Sequence, residues 1–324
     1  MRTEEPLLTL CIPTYQRADI LLNTGKHHIS LVEQYDLPLI ISNNCSTDHT
    51  EDVAHALKEL YTNVEYYRHE TNIYDKNFPF VLRKSKTPYA WLLGDKHKIK
   101  AGSIERFFEL VKDESFDLIV TNHDMHVKNI PTQVYTDPAR LLSDLGWHMT
   151  DITSLIFSKD FIEKIPFERF SGTNFMHTGG IFEAFATHPC KVLWVNENFF
   201  ERITFGVKSG WVEDMFDVWM KSWPTVIMAL PPSHYSLQNK VDCIKRHNVN
   251  TKMFTFKKIK IARRCGKYNF KEYKKLRIFF RLCSNRSGLF FLYMAVFPKW
   301  ILKFMLLVQN TFNSIFLKHK RYNK

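Results

Sequence analysis

Asp95 and His97 stand one residue apart, directly after an apolar run that is typical of a buried strand at 89–93. Side chains two positions apart on an extended chain point to the same side, so this carboxylate and this imidazole can contact one ligand. Together they suit a divalent cation of the Mn²⁺ type. The pair therefore predicts a metal site with open positions for a diphosphate. A strand that simply ends in a polar turn is the alternative.

The elements around this pair alternate between strands and helices. The sequence predicts strands at 7–13, 38–42, 63–68, 89–93 and 116–121, and helices at 18–35, 48–60, 75–85 and 104–111. This alternation is typical of an α/β fold whose mostly parallel central sheet is flanked by helices. Ligands of such sheets bind beyond the carboxyl ends of the strands, where the polar segments 13–17, 42–48 and 94–97 would meet.

The chain lacks the glycine-rich loops that hold nucleotides in the commonest α/β folds. No Gly-x-Gly-x-x-Gly fingerprint follows the first strand, and no Gly-Lys-Ser/Thr sequence occurs anywhere. An ordinary dinucleotide-binding fold and a P-loop NTPase are therefore disfavoured. A nucleotide would be held by side chains and a cation instead.

Length and composition indicate a folded protein, either one large α/β domain with an appendage or two modest domains. The 324 residues are 45% hydrophobic and include 27 phenylalanines, enough for a substantial core. The six cysteines form no Cys-x-x-Cys pair, which disfavours a disulfide framework and a structural zinc site and fits a reducing cytoplasm. The first residues do not have the pattern of a signal peptide.

The net charge of +12 is unevenly distributed along the chain. Residues 251–324 contain 13 lysines and 6 arginines against the single acid Glu272, a charge of +18 that leaves −6 for residues 1–250. This shift predicts a catalytic domain over 1–250, which we divide into halves at 1–122 and 123–250. Residues 251–324 would then form a basic helical tail.

Within this tail, the segment 288–308 is apolar except for Pro298, Lys299, Lys303 and a tyrosine. Two lysines near the middle of a membrane span would cost about 5 kcal/mol, and Pro298 would interrupt the helix. We therefore expect the tail to lie in the membrane interface, which predicts a cytoplasmic protein bound peripherally to the inner membrane. A helix packed on the catalytic domain, or paired with a second copy in an oligomer, is the alternative.

Four motifs in order resemble the family-2 glycosyltransferases, which have the GT-A fold. Residues 10–17 are similar to the family's opening strand, and 42–50 to its acidic second-strand motif. Residues 72–77 resemble its Asn-x-Gly-x-x-x-Asn segment, and Asp95-Lys96-His97 takes the place of its metal-binding Asp-x-Asp. The resemblance covers about residues 7–110 and continues weakly to about 205. It is greatest to bacterial sugar transferases of O-antigen and capsule assembly, including an abequosyltransferase-like group.

This resemblance implies transfer of a sugar from a nucleotide-diphosphate donor, a UDP-sugar first of all, to a saccharide or lipid-linked saccharide acceptor. Asp95 and His97 would hold Mn²⁺ or Mg²⁺, which stabilises the negative charge of the departing nucleoside diphosphate. Asn43 stands where the family commonly has a base-reading aspartate, so the choice of base stays open. The expected donor-binding residues are Pro13, Thr14, Tyr15, Arg17, Asn43, Asn44, Asn72, Arg83, Gly94 and Asp95.

The family's usual acidic pair, which supplies the general base of inverting enzymes, is missing from the matching stretch 172–183. His177 takes that place, as a base or a further metal ligand, and a buried structural histidine is its alternative. Glu183 is the reserve, and Asp124 could bind an acceptor hydroxyl. A retaining enzyme without a base stays open.

Three other functions compete with glycosyl transfer. A catalytically inactive GT-A-like scaffold would explain the altered motifs at Asn43 and His177. A nucleic-acid-binding protein would use the basic tail, but the tail has too many apolar residues for a solvated arm, so we expect no nucleic-acid partner. A nucleotidyltransferase usually carries a glycine-rich basic loop after its first strand, and this chain has none.

Overall fold

The computed structural model describes residues 5–203 and 210–298, and the chain divides into two compact units. Residues 1–207 and 225–243 form the first unit, and residues 208–224 and 244–324 form the second. The lysine- and arginine-rich segment begins inside the second unit. The division of the chain at residue 250, and of its first part at residue 122, stays a prediction.

All strands of the described chain belong to the first unit. An eight-stranded sheet has the order β3-β2-β1-β4-β8-β6-β9-β7, and β5 pairs with β10 in a separate two-stranded sheet. The strands are β1 Leu8–Thr14, β2 Leu39–Asn43, β3 Val64–Arg68, β4 Tyr89–Leu92, β5 His97–Ile99, β6 Leu118–Thr121, β7 Gln133–Tyr135, β8 Leu155–Ser158, β9 Val192–Val195 and β10 Phe200–Arg202. β1, β2, β3 and β4 are parallel, as are β6 and β9, while β8 runs antiparallel between β4 and β6.

Helices of the first unit flank its sheet, and further helices make up the described part of the second unit. They are α1 Ala18–Val32, α2 Thr50–Leu60, α3 Asn77–Lys84, α4 Ser103–Val111, α5 Pro138–Leu145, α6 Lys159–Lys164, α7 Met176–Thr187, α8 Gly210–Glu213, α9 Trp223–Met228, α10 Leu237–Asn250, α11 Phe256–Arg264, α12 Phe270–Leu276, α13 Phe280–Cys283 and α14 Gly288–Val296. The five predicted strands lie within two residues of β1, β2, β3, β4 and β6. The first predicted helix is too long, because α1 ends at Val32 and a 3₁₀ turn follows.

Every residue of β1, β2 and β4 is buried, as expected for parallel strands covered on both faces. Thr14 is paired with Asn43 and Cys11 with Leu92, so the three strands end at the same edge of the sheet. At Gly25 on α1, an added Cβ would lie 2.4 Å from the Leu57 side chain of α2. A glycine is therefore needed where α1 and α2 pack together.

The described part of the second unit is helical and has an aromatic core. Phe216 stacks on Tyr268 at 4.1 Å between ring centroids, and Trp219 stacks on His247 at 3.8 Å. Among the described residues, none of the helices is both long enough and apolar enough to span a bilayer. The predicted interfacial segment 288–308 begins as α14, and its part from residue 299 onward lies outside the described residues.

Candidate active site

The conformation after β4 differs from the extended one that the Asp-x-His spacing suggested. Residues 95 and 96 form a turn, closed by a hydrogen bond of 3.0 Å from the His97 N–H to the Gly94 carbonyl. Because the chain turns here, Asp95 and His97 contact different neighbours. The assignment of both as ligands of one metal stays a prediction.

Asp95 is buried beside the end of β1, where it contacts two of the predicted donor-binding residues. Arg17 Nη1 lies 2.5 Å from Asp95 Oδ1, and Thr14 Oγ1 donates a hydrogen bond of 3.1 Å to Oδ2. Burial raises the pKa of the Asp95 carboxyl, while Arg17 and Thr14 act in the opposite sense. The carboxylate therefore fixes Arg17 at the carboxyl edge of the sheet.

His97 belongs to a second group, with His123 after β6 and Asp151 before β8. One possible ligand atom from each residue lies within 4.8 Å of those of the other two, and we call these three residues the His-His-Asp cluster. His123 Nδ1 is 2.6 Å from Asp151 Oδ2. Asp151 Oδ1 also accepts the Thr153 N–H at 3.1 Å, which holds the carboxylate in place.

The His97 ring is oriented by residues from two other segments. Arg202 Nε donates to His97 Nε2 at 3.4 Å, and Thr153 Oγ1 lies 2.9 Å from His97 Nδ1. In the neutral ring the proton is then on Nδ1, and the Nε2 lone pair, which accepts the Arg202 N–H, is the one that could bind a cation in place of Arg202. An added Cβ on Gly94 would lie 2.9 Å from His97 Nδ1 and 3.1 Å from Thr153 Oγ1, so any larger residue here would displace one of these side chains.

The electrostatics of the cluster favour the protonation states of metal ligands. Burial, together with the charges of His123 and Arg202, lowers the pKa of His97 to about 4, although Asp151 opposes the shift. Burial alone would raise the pKa of Asp151, but the His123 hydrogen bond and the charges of His123, His97 and Arg202 hold it well below its usual range. A neutral imidazole and an ionised carboxylate are the forms that bind cations.

The donor set of the cluster fits a divalent cation. Two imidazole nitrogens and one carboxylate oxygen are ligands that Mn²⁺ and related ions accept. His123 Nε2 is buried and makes no hydrogen bond, although Asp124 Oδ2 lies 3.1 Å away. The contact of His97 with Thr153 is the kind of outer partner that orients metal-binding histidines.

Cationic side chains surround both groups. Lys96 lies between Asp95 and His97 in the sequence and is half-buried. Burial, Arg17 and Arg202 lower the pKa of Lys96 to about 8, while Asp95 opposes this shift. Arg17, Lys96 and Arg202 are thus close enough to repel one another, and this concentration of positive charge suits an anion with several charges.

The predicted donor-binding asparagines are bonded within the protein. The Asn43 side chain accepts the Ser46 N–H and donates to Tyr66, both at 2.9 Å. Asn44 accepts the Ile73 N–H at 2.7 Å. Asn72 accepts the Tyr74 N–H at 2.8 Å, which shapes the turn before α3.

The remaining donor-binding predictions are divided between the edge and other places. Pro13 is buried at the end of β1, and Tyr15, which follows it closely, is 43% exposed. Gly94 directly precedes Asp95 and donates its N–H to Thr153 Oγ1 at 2.9 Å, so it adjoins both Asp95 and the His-His-Asp cluster. Arg83 pairs with Glu168 at 2.9 Å, and no hydrogen bond or ion pair among the described residues joins it to this edge.

The three predicted catalytic residues lie in different surroundings. Asp124 is about half exposed and adjoins the His-His-Asp cluster through His123. His177 at the start of α7 is buried, and burial lowers its pKa to about 4 against the opposing effect of Asp151. Glu183 lies further along α7 and pairs with Arg169.

Sequence reasoning missed His123, Asp151, Thr153 and Arg202 as members of the site. Asp151 offers one local signal, because an aspartate just before an apolar run commonly accepts the backbone N–H two residues on. His123 and Arg202 carried no signal of their own, since only the pairing of distant strands brings them to His97.

Comparisons with known proteins agree with this architecture. Residues 9–180 match the sequence model of glycosyl transferase family 2. Abequosyltransferase RfbV of Salmonella typhimurium strain LT2 is 25% identical over 219 residues, which are 59% of this chain and 65% of the relative. The match thus spans slightly less than two thirds of that relative's length.

Among solved structures, this fold is similar to that of TarS from S. aureus, residues 1–349. The TM-score is 0.54 with 12% identity, over 77% of this chain and 74% of TarS. The TarS complex with UDP-GlcNAc has a TM-score of 0.52 with 12% identity, over 80% and 79% of the two chains. The predicted GT-A fold is confirmed.

The family model covers more than half of the chain, including β1, β2, the turn at Asp95 and the His-His-Asp cluster. The resemblance predicted from four motifs is thereby confirmed, and the chain belongs to glycosyl transferase family 2.

Proposed function

We propose that this protein transfers a sugar from a nucleotide-diphosphate donor to a saccharide acceptor in the assembly of a surface polysaccharide. The observation that carries the proposal is the His-His-Asp cluster beside Arg17 and Asp95, at the sheet edge where α/β enzymes bind their ligands. The likeness to the abequosyltransferase RfbV supports sugar transfer, and the complex of TarS with UDP-GlcNAc supports a UDP-sugar donor.

A divalent cation, Mn²⁺ or Mg²⁺, would be held by His97, His123 and Asp151. When bound, such an ion stabilises the negative charge that forms on a departing diphosphate. This assignment differs from the Asp95–His97 pair that the spacing suggested, because Arg17 and Thr14 already contact both oxygens of Asp95. We assign Asp95 the role of holding Arg17.

The donor diphosphate would be bound by Arg17, Lys96 and Arg202. Arg17 pairs with Asp95 and Arg202 with Asp151, yet both arginines still lower the pKa of Lys96, so a diphosphate would relieve the repulsion among the three cations. Tyr15 is 43% exposed directly after β1 and offers a stacking surface for the nucleobase. Asn43 and Asn44 would act indirectly, by holding the turn after β2.

The acceptor hydroxyl would be deprotonated by Asp124. A general base must come within hydrogen-bond distance of the proton that it removes, and Asp124 adjoins the cluster with about half of its side chain exposed. His177 is 1% exposed, so an acceptor hydroxyl cannot reach its ring without a conformational change. Glu183 is neutralised by Arg169.

The second unit would bring the enzyme to a membrane that carries a lipid-linked acceptor. Leu289, Tyr293 and Val296 of α14 are 76%, 43% and 55% exposed. Their spacing of four and three residues places them on one helix face. An exposed apolar face in a unit rich in lysine and arginine suits the interface of an anionic leaflet. The enzyme would then be peripheral on the cytoplasmic face of the inner membrane.

A thermal-shift screen of nucleoside diphosphates, with and without Mn²⁺, tests the transfer proposal. A ligand that binds only the folded state raises the melting temperature by mass action. We expect UDP with Mn²⁺ to raise it most, and Asp151→Asn to abolish the increase that depends on Mn²⁺. If no nucleoside diphosphate changes the melting temperature, the inactive scaffold becomes the better interpretation.

Sedimentation with anionic phospholipid vesicles tests the membrane proposal. Leu289→Glu/Val296→Glu should reduce the bound fraction several-fold without changing donor hydrolysis. Leu60→Glu/Val134→Glu, which changes an exposed leucine and an exposed valine of the first unit, is the matched control. Equal sedimentation of the two variants would contradict this role of α14.

A further inference from the structure

A second candidate binding site lies in the first unit, on the outer side of α3. A cleft of about 450 Å³ is bounded by α3 and by the segment from 167 to the start of α7. Its apolar lining comes from Ile73, Pro79, Phe80 and Met176. The volume is within the range of small-molecule sites. We call it the basic cleft, because lysine and arginine side chains complete its wall.

The two walls of the basic cleft are fixed to each other at both ends. At one end, the Asp75 carboxylate accepts hydrogen bonds of 3.0 to 3.1 Å from the backbone N–H groups of Gly172 and Asn174. At the other end, Arg83 donates to Glu168 at 2.9 Å. A cleft held in this way is formed before any ligand arrives, which lowers the entropic cost of binding.

The charges of the basic cleft do not balance. Lys76, Arg83 and Lys84 line it against the single carboxylate of Glu168, which leaves two positive charges. Glu168 is paired with Arg83, and no ion pair of Lys76 or Lys84 is found among the described residues. Lys84 Nζ lies 4.8 Å from the Tyr67 ring centroid and 5.2 Å from that of Phe80. Two ammonium groups without a carboxylate partner, above an apolar floor, favour a ligand that is both anionic and partly apolar.

The basic cleft adjoins the reaction edge without sharing the residues assigned to the donor. Met176 in its floor directly precedes His177, and the His177 ring contacts Phe78 of α3 at 5.8 Å between centroids. Ile73 in its wall is bonded to Asn44 at the end of β2. Because Arg17, Lys96 and Arg202 do not line the cleft, the donor diphosphate is not its ligand.

We propose that the basic cleft binds an anionic group of the saccharide acceptor, a phosphate or a carboxylate, through Lys76 and Lys84. This role rests on the glycosyl transfer proposed above. The anion could come from the diphosphate that joins a saccharide to a lipid carrier, or from an acidic sugar. Both would place their charge between the ammonium groups and their apolar part on Phe80 and Met176.

The test is calorimetric titration of the full chain in EDTA with farnesyl diphosphate, inorganic pyrophosphate and glucuronic acid. The cleft variant is Lys76→Glu/Lys84→Glu, and Lys58→Glu/Lys112→Glu is the control with the same charge change on exposed lysines elsewhere in the first unit. Lys76→Arg/Lys84→Arg keeps the charge. We expect at least one probe to bind the wild type, the control and the arginine variant with similar affinity, and the cleft variant at least tenfold more weakly.

The probes identify the source of the anion. Tighter binding of farnesyl diphosphate than of pyrophosphate indicates a lipid-linked diphosphate, whereas preferred binding of glucuronic acid indicates an acidic sugar. Equal affinities of the cleft variant and the control, or no binding of any probe, would overturn the proposal. The response of the cleft variant to UDP with Mn²⁺ is measured separately. If the wild type also fails to respond to UDP with Mn²⁺, the transfer proposal has failed, whatever the probes show about the basic cleft.

Discussion

Asp95 is a buried carboxylate and Asp151 a partly buried one at the same edge of the sheet, and their surroundings differ. Asp95 lies in the Asp-x-His motif that suggested a metal site. Its oxygens contact Arg17 and Thr14, however, and burial raises its pKa. Asp151 lies in no recognisable motif, but the hydrogen bond from His123 and nearby cations hold its pKa low against the effect of burial. The comparison teaches that the motif marks the right edge, while the charge that can bind a cation is assembled from other segments.

The largest effect should come from Asp151→Asn. This change removes the only carboxylate of the His-His-Asp cluster and ends the ion pair at His123 Nδ1. We expect Mn²⁺-dependent donor hydrolysis to fall by about 10² to 10³-fold, comparable to the loss of one strong electrostatic contact in an active site. Steady-state kinetics and a direct Mn²⁺ titration measure the two effects. Normal Mn²⁺ binding by this variant would contradict the cluster as the cation site.

Asp95→Asn should have a smaller effect of another kind. The amide cannot hold the Arg17 guanidinium as the carboxylate does, and a hydrogen bond to a charged group contributes about 1.5 to 3 kcal/mol. We expect the KM for the donor to rise about tenfold or more while Mn²⁺ affinity stays within twofold. The reverse result, loss of Mn²⁺ affinity with an unchanged donor KM, would restore Asp95 as a metal ligand.

Gly94→Ala should disturb the cluster without touching either aspartate. The new methyl group would lie within about 3 Å of His97 and Thr153, so one of them must move. We expect Mn²⁺ affinity to fall about tenfold, similar to the loss of an outer partner of a metal ligand. Gly288→Ala is the control, because an added Cβ there meets nothing within 4 Å. Equal Mn²⁺ affinities would show that the His97–Thr153 contact is not required.

The smallest effects should appear in the pH dependence of stability, with opposite signs for the two aspartates. The pKa of Asp151 is lower in the folded state than its ordinary value of 3.8, so the ionised carboxylate stabilises the fold at pH values above 3.8. This contribution is lost as the pH falls below 3.8. The raised pKa of Asp95 has the reverse sign, because the folded state then binds a proton more readily than the unfolded state.

Urea unfolding at pH 6 and pH 4 measures these contributions. Going from pH 6 to pH 4, the free energy of unfolding of Asp151→Asn should begin to approach that of the wild type, because the unfolded state starts to bind a proton near pH 3.8. The free energy of Asp95→Asn should fall relative to the wild type over the same change. Parallel pH profiles for both variants would show that the two environments do not differ as described.

Much of the fold could be predicted because strands and helices leave local patterns. The apolar runs that become β1, β2 and β4 are buried on both faces, so each appears in the sequence as a continuous apolar segment. The short strand β5 after Asp95 could not be predicted, because it has three residues, follows a turn and pairs with β10, which is distant in the sequence. The site could be predicted only in part, since the Asp-x-His spacing suggests extended chain where the structure has a turn.

The sequence by itself determined the α/β architecture, the edge at which the polar loops meet and the family, because hydrophobic periodicity and ordered motifs are local properties of the chain. Only the tertiary structure decided that Asp95 holds Arg17 and that His97 lies with His123 and Asp151. The physical reason is the antiparallel insertion of β8 between β4 and β6, which brings the residues before β8 to the ends of both neighbours. No local spacing encodes that pairing of strands.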